Sequence, residues 1–315
     1  MIDTLIELAA AMNMPPGYLR RLTSRRKGTS LARYTRDEVP KKSGGTRLIL
    51  KPTAQLAEAQ RWVLDSILAD LDVEPQAHGY VPGRSIVTAA APHVGKAIVV
   101  HLDLQDFFHS ITFPRVKAMF RALEYGPQAA ATLALLCTAV IDEAHPELRR
   151  RGLPQGACTS PAISNVVCRR LDRRLNGLCK NAQFDYTRYA DDITISGNRP
   201  AAVGRLLRTA RLIIAEEGFA ENQGKTHAMR RGQRQEVVGL TVNEKPAVSR
   251  RERRRLRALL HNAARDGLEE QNREGCSCFR EQLRGRVSYV AMVEPEKGGR
   301  WRRALRAALE ADEHF

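Results

Sequence analysis

Tyr186-Thr-Arg-Tyr-Ala-Asp-Asp-Ile-Thr-Ile-Ser196 decides how the rest of the chain is read. β-formers precede (Tyr186, Thr187, Tyr189) and follow (Ile193, Thr194, Ile195) a turn centred on Ala190-Asp191-Asp192, which predicts a hairpin. Adjacent carboxylates raise each other's pKa, so the pair asks for a cation. Taken alone, the dipeptide is explained as well by one turn Asp and one solvated Asp. A second stretch, Val99-Val-His-Leu-Asp103-Leu-Gln-Asp106-Phe-Phe108, reads as a buried strand that delivers Asp103 at its C-terminal end. Sheet pairing that sets Asp103 beside the hairpin makes an oxygen-rich site suited to Mg²⁺. Two such ions about 3.5–4 Å apart would activate a 3′-hydroxyl and stabilise a pyrophosphate leaving group. Phosphoryl transfer needs little beyond this positioning and charge neutralisation.

Outward from these stretches, apolar runs of strand and helix type interleave without a regular βαβ count, which predicts an α+β fold. A helical spacing over Ile2–Ala9 stops at Pro15-Pro16, and Lys41-Lys42-Ser-Gly-Gly-Thr-Arg47 reads as a turn feeding a short strand. Next come a helix over 56–68, the Gly-rich stretch His78-Gly-Tyr-Val-Pro-Gly-Arg-Ser-Ile86 and helices over 115–141. A helix after Leu153-Pro-Gln-Gly156 and another ending at Gly218 flank the hairpin. From 249 the chain turns helical and basic. Ser249-Arg-Arg-Glu252 is a capping-box pattern. Leu256, Leu259 and Leu260 form an apolar stripe, and Arg250, Arg251, Arg253, Arg254, Arg255 and Arg257 crowd the first turns. A second helix around Phe279–Val290 carries Arg280, Arg284 and Arg286. No flexible linker precedes this segment, so it is expected to pack on the rest.

Composition agrees with a folded protein that meets a polyanion. The 315 residues carry 51 Lys+Arg against 35 Asp+Glu, a net charge of +16, and at 43% hydrophobic they are not a disordered polycation. No apolar run is long enough to cross a bilayer. Acids stand near the start, where a signal peptide would be basic, so a cytoplasmic protein with reduced thiols is expected. Cys276-Ser-Cys278 is the single close cysteine pair and lacks the second pair of a zinc knuckle.

Three runs occur in this order: Asp103-x-x-Asp106-Phe-Phe108, Leu153-Pro-Gln-Gly156-Ala-Cys-Thr-Ser-Pro161 and Tyr189-Ala-Asp-Asp192. The order resembles the palm motifs of reverse transcriptases. Arg47 after Lys41-Lys42 resembles the fingers loop, Gly218–Thr226 the motif after the catalytic hairpin, and Val237–Asn243 the primer grip. Gly83-Arg-Ser-Ile86 followed by Pro92-His93, Thr187–Asp192 and Leu283–Tyr289 resemble bacterial retron-type enzymes in particular. The resemblance implies a right hand. Fingers would take 1–95 with 114–151 inserted, an antiparallel-sheet palm 96–113 and 152–246, and a basic helical thumb 247–315.

Residue by residue, the resemblance makes Asp103, Asp191 and Asp192 the metal-binding triad for two Mg²⁺ ions, with Mn²⁺ able to substitute. Asp192 would support geometry more than it ligates. Arg47 and Lys42 would grip the triphosphate through charge-assisted contacts. Gln155 would lie against the nascent base pair, with Asp106 beside the nucleotide, and Lys225 is a candidate acid for the leaving pyrophosphate. Phe108, five residues after the first Asp, would fill the space under C2′ and exclude ribonucleotides. Arg250, Arg251, Arg254, Arg257 and Arg284 are expected to contact phosphates, which makes template affinity strongly salt-dependent.

The implied activity is RNA-directed DNA synthesis. In retron form it would be primed from a 2′-hydroxyl of a structured noncoding RNA and yield a branched RNA–DNA product. The implied partners are that RNA, its cDNA, dNTPs and a separate effector protein in anti-phage defence. Two positions depart from the usual retron signatures: Ala89 stands where Asn is expected before His93, and Val238 where Thr is expected between Val237 and Gly239. A reverse transcriptase of another defence or CRISPR-linked lineage, or a non-catalytic RNA-binding scaffold, therefore stays open at this point. No RNase H domain or endonuclease is expected after the thumb, and Phe108 argues against an RNA-dependent RNA polymerase.

Overall fold

The computed structural model describes residues 2–24, 33–40, 44–141 and 150–312. Helices α1 (Leu5–Ala11) and α2 (Pro16–Thr23) come first. Pro16 opens the second helix as well as ending the first pattern, because proline at the first helical position has no amide bond to lose. β1 (Tyr34–Pro40) pairs antiparallel with β2 (Thr46–Pro52), Val39 lying opposite Arg47. The charged run Thr35-Arg-Asp-Glu38 does not announce the first of these strands. α3 (Ala54–Val63) and the short α4 (Ile86–Ala90) lead to β3 (Ile98–Asp103). After it come α5 (Phe107–Ser110), α6 (Phe113–Ala122), α7 (Pro127–Cys137) and the two-residue pair β4 (Ala139–Val140) and β5 (Arg151–Gly152).

α8 (Thr159–Val167) and α9 (Arg169–Asn181) precede the hairpin β6 (Phe184–Tyr189) and β7 (Asp192–Gly197). α10 (Val203–Glu216), β8 (His227–Arg230) and the small hairpin β9 (Glu236–Val237) and β10 (Leu240–Thr241) follow. Three helices close the chain: α11 (Arg250–Asp266), α12 (Phe279–Val293) and α13 (Pro295–Asp312). Among the described residues no helix is long and apolar enough to cross a membrane.

Four strands form the central antiparallel sheet, in the order β6-β7-β3-β8. Side chains alternate across a sheet, and here the two faces differ in chemistry. Ile98, Val100, Leu102, Ile193, Ile195, Phe184 and Tyr186 point into the main apolar core with α1–α3 and α6–α10. The opposite face carries the acids at one end and Thr187, Thr194 and His101 in the next row. At its far end Val99 and Met229 enter a second core with α11, α12 and α13. The basic C-terminal helices therefore pack on the sheet without a linker, as expected. Only half of the anticipated capping box forms. Ser249 accepts from the Glu252 amide, but the Glu252 carboxylate turns to Arg286.

His93 fastens the polar face. It is fully buried just after α4, with Nδ1 2.6 Å from Ser196 Oγ and Nε2 2.8 Å from Thr187 Oγ1. The Thr187 hydroxyl donates to the Ala89 carbonyl, so it accepts from Nε2–H and leaves Nδ1 to accept from Ser196. Burial lowers the imidazole pKa to about 3, with the Lys96 charge adding to the shift. The unfolded chain takes up a proton near pH 6.5 that the folded chain refuses. This stability is thus complete above pH 6.5 and is lost as pH falls toward 3. Between pH 4 and 6 the slope of unfolding free energy against pH should drop by ~1.4 kcal/mol per unit in His93→Asn, one proton's worth. Urea titrations across that range measure it, and an unchanged slope would show that His93 is protonated in the native state.

Candidate active site

The β3–β7 register sets Asp103 directly opposite Asp192. In the hairpin, Tyr189 pairs with Asp192 and leaves Ala190-Asp191 as a two-residue loop, a length that favours a left-handed residue. Ala190 takes that role at φ 57°. The Asp191 carbonyl accepts from the Leu104 amide, tying the loop back to the end of β3. Asp103 is 5% exposed. Ligand atoms of Asp103, Asp192 and His101 all lie within 4.8 Å of one another.

Burial first, and then the Asp191 and Asp103 charges, raise the Asp192 pKa to about 7. Asp191 is raised too, chiefly by burial. One ammonium already answers this charge: Lys225 Nζ lies 2.8 Å from Asp103 Oδ1, and that bond is the main reason its pKa is raised. The Lys225 loop is brought there by strand-like contacts: the Asn222 amide donates to Asp103 O and the Gln105 amide to Ala220 O. A cluster of two carboxylates and an imidazole, its charge only partly offset by one ammonium, offers ligand atoms to a divalent cation.

Of the remaining expected residues, Arg47 acts on this cluster through its charge. Asp106, exposed at φ 45°, precedes α5, where Phe107 enters the core and Phe108 stays half-buried. Phe108 also packs in part against the main core, its ring 5.3 Å from that of Phe107. The Gln155 carbonyl accepts from the Leu50 amide at 2.7 Å. Gly156 sits at φ 118°, where a Cβ would meet Leu50 O at 2.7 Å, so glycine is needed for this docking on β2. Arg47, exposed on β2, is near enough for its charge to lower the Asp191 pKa. Lys42 lies outside the described residues.

Arg250, Arg251, Arg254 and Arg257 on α11 and Arg284 on α12 are exposed, and none is paired with an acid among the described residues. Their neighbours differ. Arg253 pairs with Glu294, Arg286 with Glu252 and Arg255 with Glu274 at 3.9 Å. The Sγ atoms of Cys276 and Cys278 lie 3.2 Å apart, away from the acids.

Two features were not anticipated. His101 lies two residues before Asp103 on the same strand face, 3.5 Å from Asp192 Oδ1 and with its ring 5.1 Å from that of His227. Burial, then His227, lower its pKa. The period of two along the strand was the available signal. Behind the turn lies Arg188, the largest fully buried side chain. It donates to both Asp172 oxygens at 2.7 Å, to Asn165 Oδ1 at 3.2 Å and to the Ala190 carbonyl at 3.0 Å. The Tyr186 hydroxyl donates to the same Asp172. The left-handed residue of the acidic turn is thus held from inside the protein.

Comparison with known proteins gives the same class. Residues 39–250 match the family described as "Reverse transcriptase (RNA-dependent DNA polymerase)". The chain is 44% identical to a retron Mx65 reverse transcriptase of Myxococcus xanthus, over 93% of this chain and 69% of that one. It is 38% identical to the retron Mx162 enzyme of the same organism, over 94% and 65%, and 31% identical to the Escherichia coli retron Ec86 enzyme, over 79% and 72%. The chain belongs to the reverse transcriptase family, as an RNA-directed DNA polymerase of retron type. Ala89 and Val238 are therefore departures within that type and do not point to another lineage.

The Arg188–Asp172 pair makes a direct prediction. Asp172→Asn leaves a guanidinium buried with half its partner, and removing one member of such a pair costs about 3–5 kcal/mol. Urea unfolding should show a loss of that size, and a loss under ~1 kcal/mol would mean that the pair does not hold the interior together.

Proposed function

We propose that the chain is organised as a right hand around the Asp103–Asp192 pair. Residues 1–95 and 114–151 would form fingers, 96–113 and 152–246 the palm, and 247–315 the thumb. The observation that carries this reading is the convergence of three carboxylates and the Lys225 ammonium at the open end of the central sheet. Asp103 and Asp191 would hold two Mg²⁺ ions, with Asp192 shaping the cluster. When bound, the ions supply charge neutralisation and a more acidic 3′- or 2′-hydroxyl nucleophile.

The chain's own residues would do the rest. Arg47 and Lys42 grip the triphosphate, and Asp106 and Gln155 border the nucleotide. Lys225, 2.8 Å from Asp103 Oδ1, would supply a proton to the leaving pyrophosphate. The exposed arginines of α11 and α12 would track template–primer phosphates, while Arg253 and Arg286 are committed to Glu294 and Glu252. In retron manner, the substrates would be dNTPs and a structured noncoding RNA that serves as template and primer. The product would be a short DNA joined to that RNA, handed to an effector protein in anti-phage defence.

Purification from cells followed by sequencing of the bound nucleic acid tests this. The wild type should carry short DNA joined to one structured RNA, and Asp191→Asn should carry the RNA without DNA and lose extension by at least about a thousandfold. Random cellular RNA in both would exclude the retron assignment of substrate.

Phe108→Ala or Phe108→Val should admit ribonucleotides, raising incorporation of GTP relative to dGTP by about tenfold or more. The ratio is read from single-nucleotide extension, and an unaltered ratio removes Phe108 as the sugar wall.

A further inference from the structure

The Gly-rich stretch 78–86 has no part in the site so far, yet it lies against the acidic turn. The His78 amide donates to the Arg188 carbonyl at 2.8 Å, and Asn165 Nδ2 donates to the Gly79 carbonyl at 2.9 Å. A Cβ on Gly79 would stand 2.8 Å from the Ala190 nitrogen, so only glycine allows this approach. Tyr80, the next residue, is thereby fixed relative to Ala190 and Asp191.

Seven non-glycine residues among those described have positive φ. Asn13, Glu124 and Gln183 follow the C-terminal caps of α1, α6 and α9, where the left-handed conformation ends a helix. Ala190 and Val238 occupy two-residue hairpin loops, and Asp106 redirects the chain into α5. Tyr80, at φ 61°, ends no helix and closes no hairpin; it is the second residue of the Gly79-Tyr80 turn, a place usually left to glycine or asparagine. Nor does burial account for it, because the residue is 53% exposed. Its ring lies between two aromatics of the site, 6.4 Å from Phe108 and 6.4 Å from Tyr189. The Asp191 carboxylate and the Arg47 guanidinium both act on its hydroxyl. Strained backbone that leaves a large ring uncovered is a pattern of functional sites.

We propose that Tyr80 is a specificity-determining residue of the polymerase, forming the third wall of the nucleotide pocket with Phe108 and Tyr189. Its ring meets the sugar–base edge of the nascent pair, where the incoming nucleotide joins the primer end. The contact is sequence-independent, because every base and sugar offers such an edge to an aromatic face. The proposal rests on Phe108 as the sugar wall, and the experiment separates the two.

Single-nucleotide extension on a defined RNA template and DNA primer is measured for Tyr80→Phe, Tyr80→Gly and Phe108→Ala, with matched and mismatched primer ends. Tyr80→Phe should keep KM for dNTPs within about threefold, whereas Tyr80→Gly should raise it about tenfold, with kcat changed less, and extend mismatched ends more readily. Glycine accepts φ 61° freely, which offsets part of the loss of the half-buried ring, so the Gly variant should unfold within a few degrees of the wild-type temperature; thermal denaturation checks that it is folded. If Phe108→Ala relaxes sugar selection while Tyr80→Gly keeps wild-type KM and mismatch selectivity, the Tyr80 assignment is overturned. If neither variant changes selection, the pocket itself lies elsewhere and both assignments fall.

Discussion

Two carboxylates on neighbouring strands repel, and burial makes the repulsion worse. In this chain the antiparallel register puts Asp103 face to face with Asp192 and adds Asp191 on the adjoining loop. Nothing in a sheet favours that arrangement for its own sake. It persists because the strands are fixed by other forces: β3 and β7 are the two inner strands, and their alternate side chains fill the main core. The charge problem is left at the open end of the sheet, where Lys225 answers part of it. A cluster of like charges held together in this way is suited to a cation.

The acidic turn is stiffened from behind by a means that differs from core packing. Arg188 and Asp172 are both inaccessible to solvent. A buried ion pair is weak evidence for stability, since well-packed apolar residues often do as well. What apolar residues cannot do is hold the Ala190 carbonyl, and Arg188 holds it while Asn165 reaches from the same cluster to Gly79. One buried network thus fixes two loops that abut each other beside the acids. Geometry at the reacting atoms is what such an arrangement supplies, and catalysis by positioning depends on it.

Much of this could be read from residue order. The hairpin, the strand before Asp103, the helices over 115–141 and the basic C-terminal helices all carry strong period-2 or period-3.6 patterns. β1 is hidden because most of its side chains are exposed and charged, so the strand is held by its antiparallel pairing with β2 and not by burial. Arg188 was passed over for a related reason. Alternation along β6 puts it on the same face as Tyr186, the apolar one, where an arginine needs a partner 16 residues back in the sequence that no local pattern reveals. His101 was legible by period, yet a histidine on a strand is uninformative until the strands beside it are known. Tyr80 depends on backbone conformation, which a tyrosine codon gives no hint of.

β3 also explains how the basic helices are placed with respect to the acids. Asp103 ends the strand at the site, while Val99 on the same face belongs to the second core with α11 and α12. Four residues of extended chain span about 13 Å, and a strand paired on both sides does not bend freely. Glu294 strengthens the attachment by accepting from the Val248 amide just before α11 and pairing with Arg253 and Lys297. The arginines left without acids on α11 therefore lie on a helix that is braced against the strand bearing Asp103. Were the proposed phosphate contacts made along that face, charge attraction over the surface and chemistry at the acids would act on one and the same molecule.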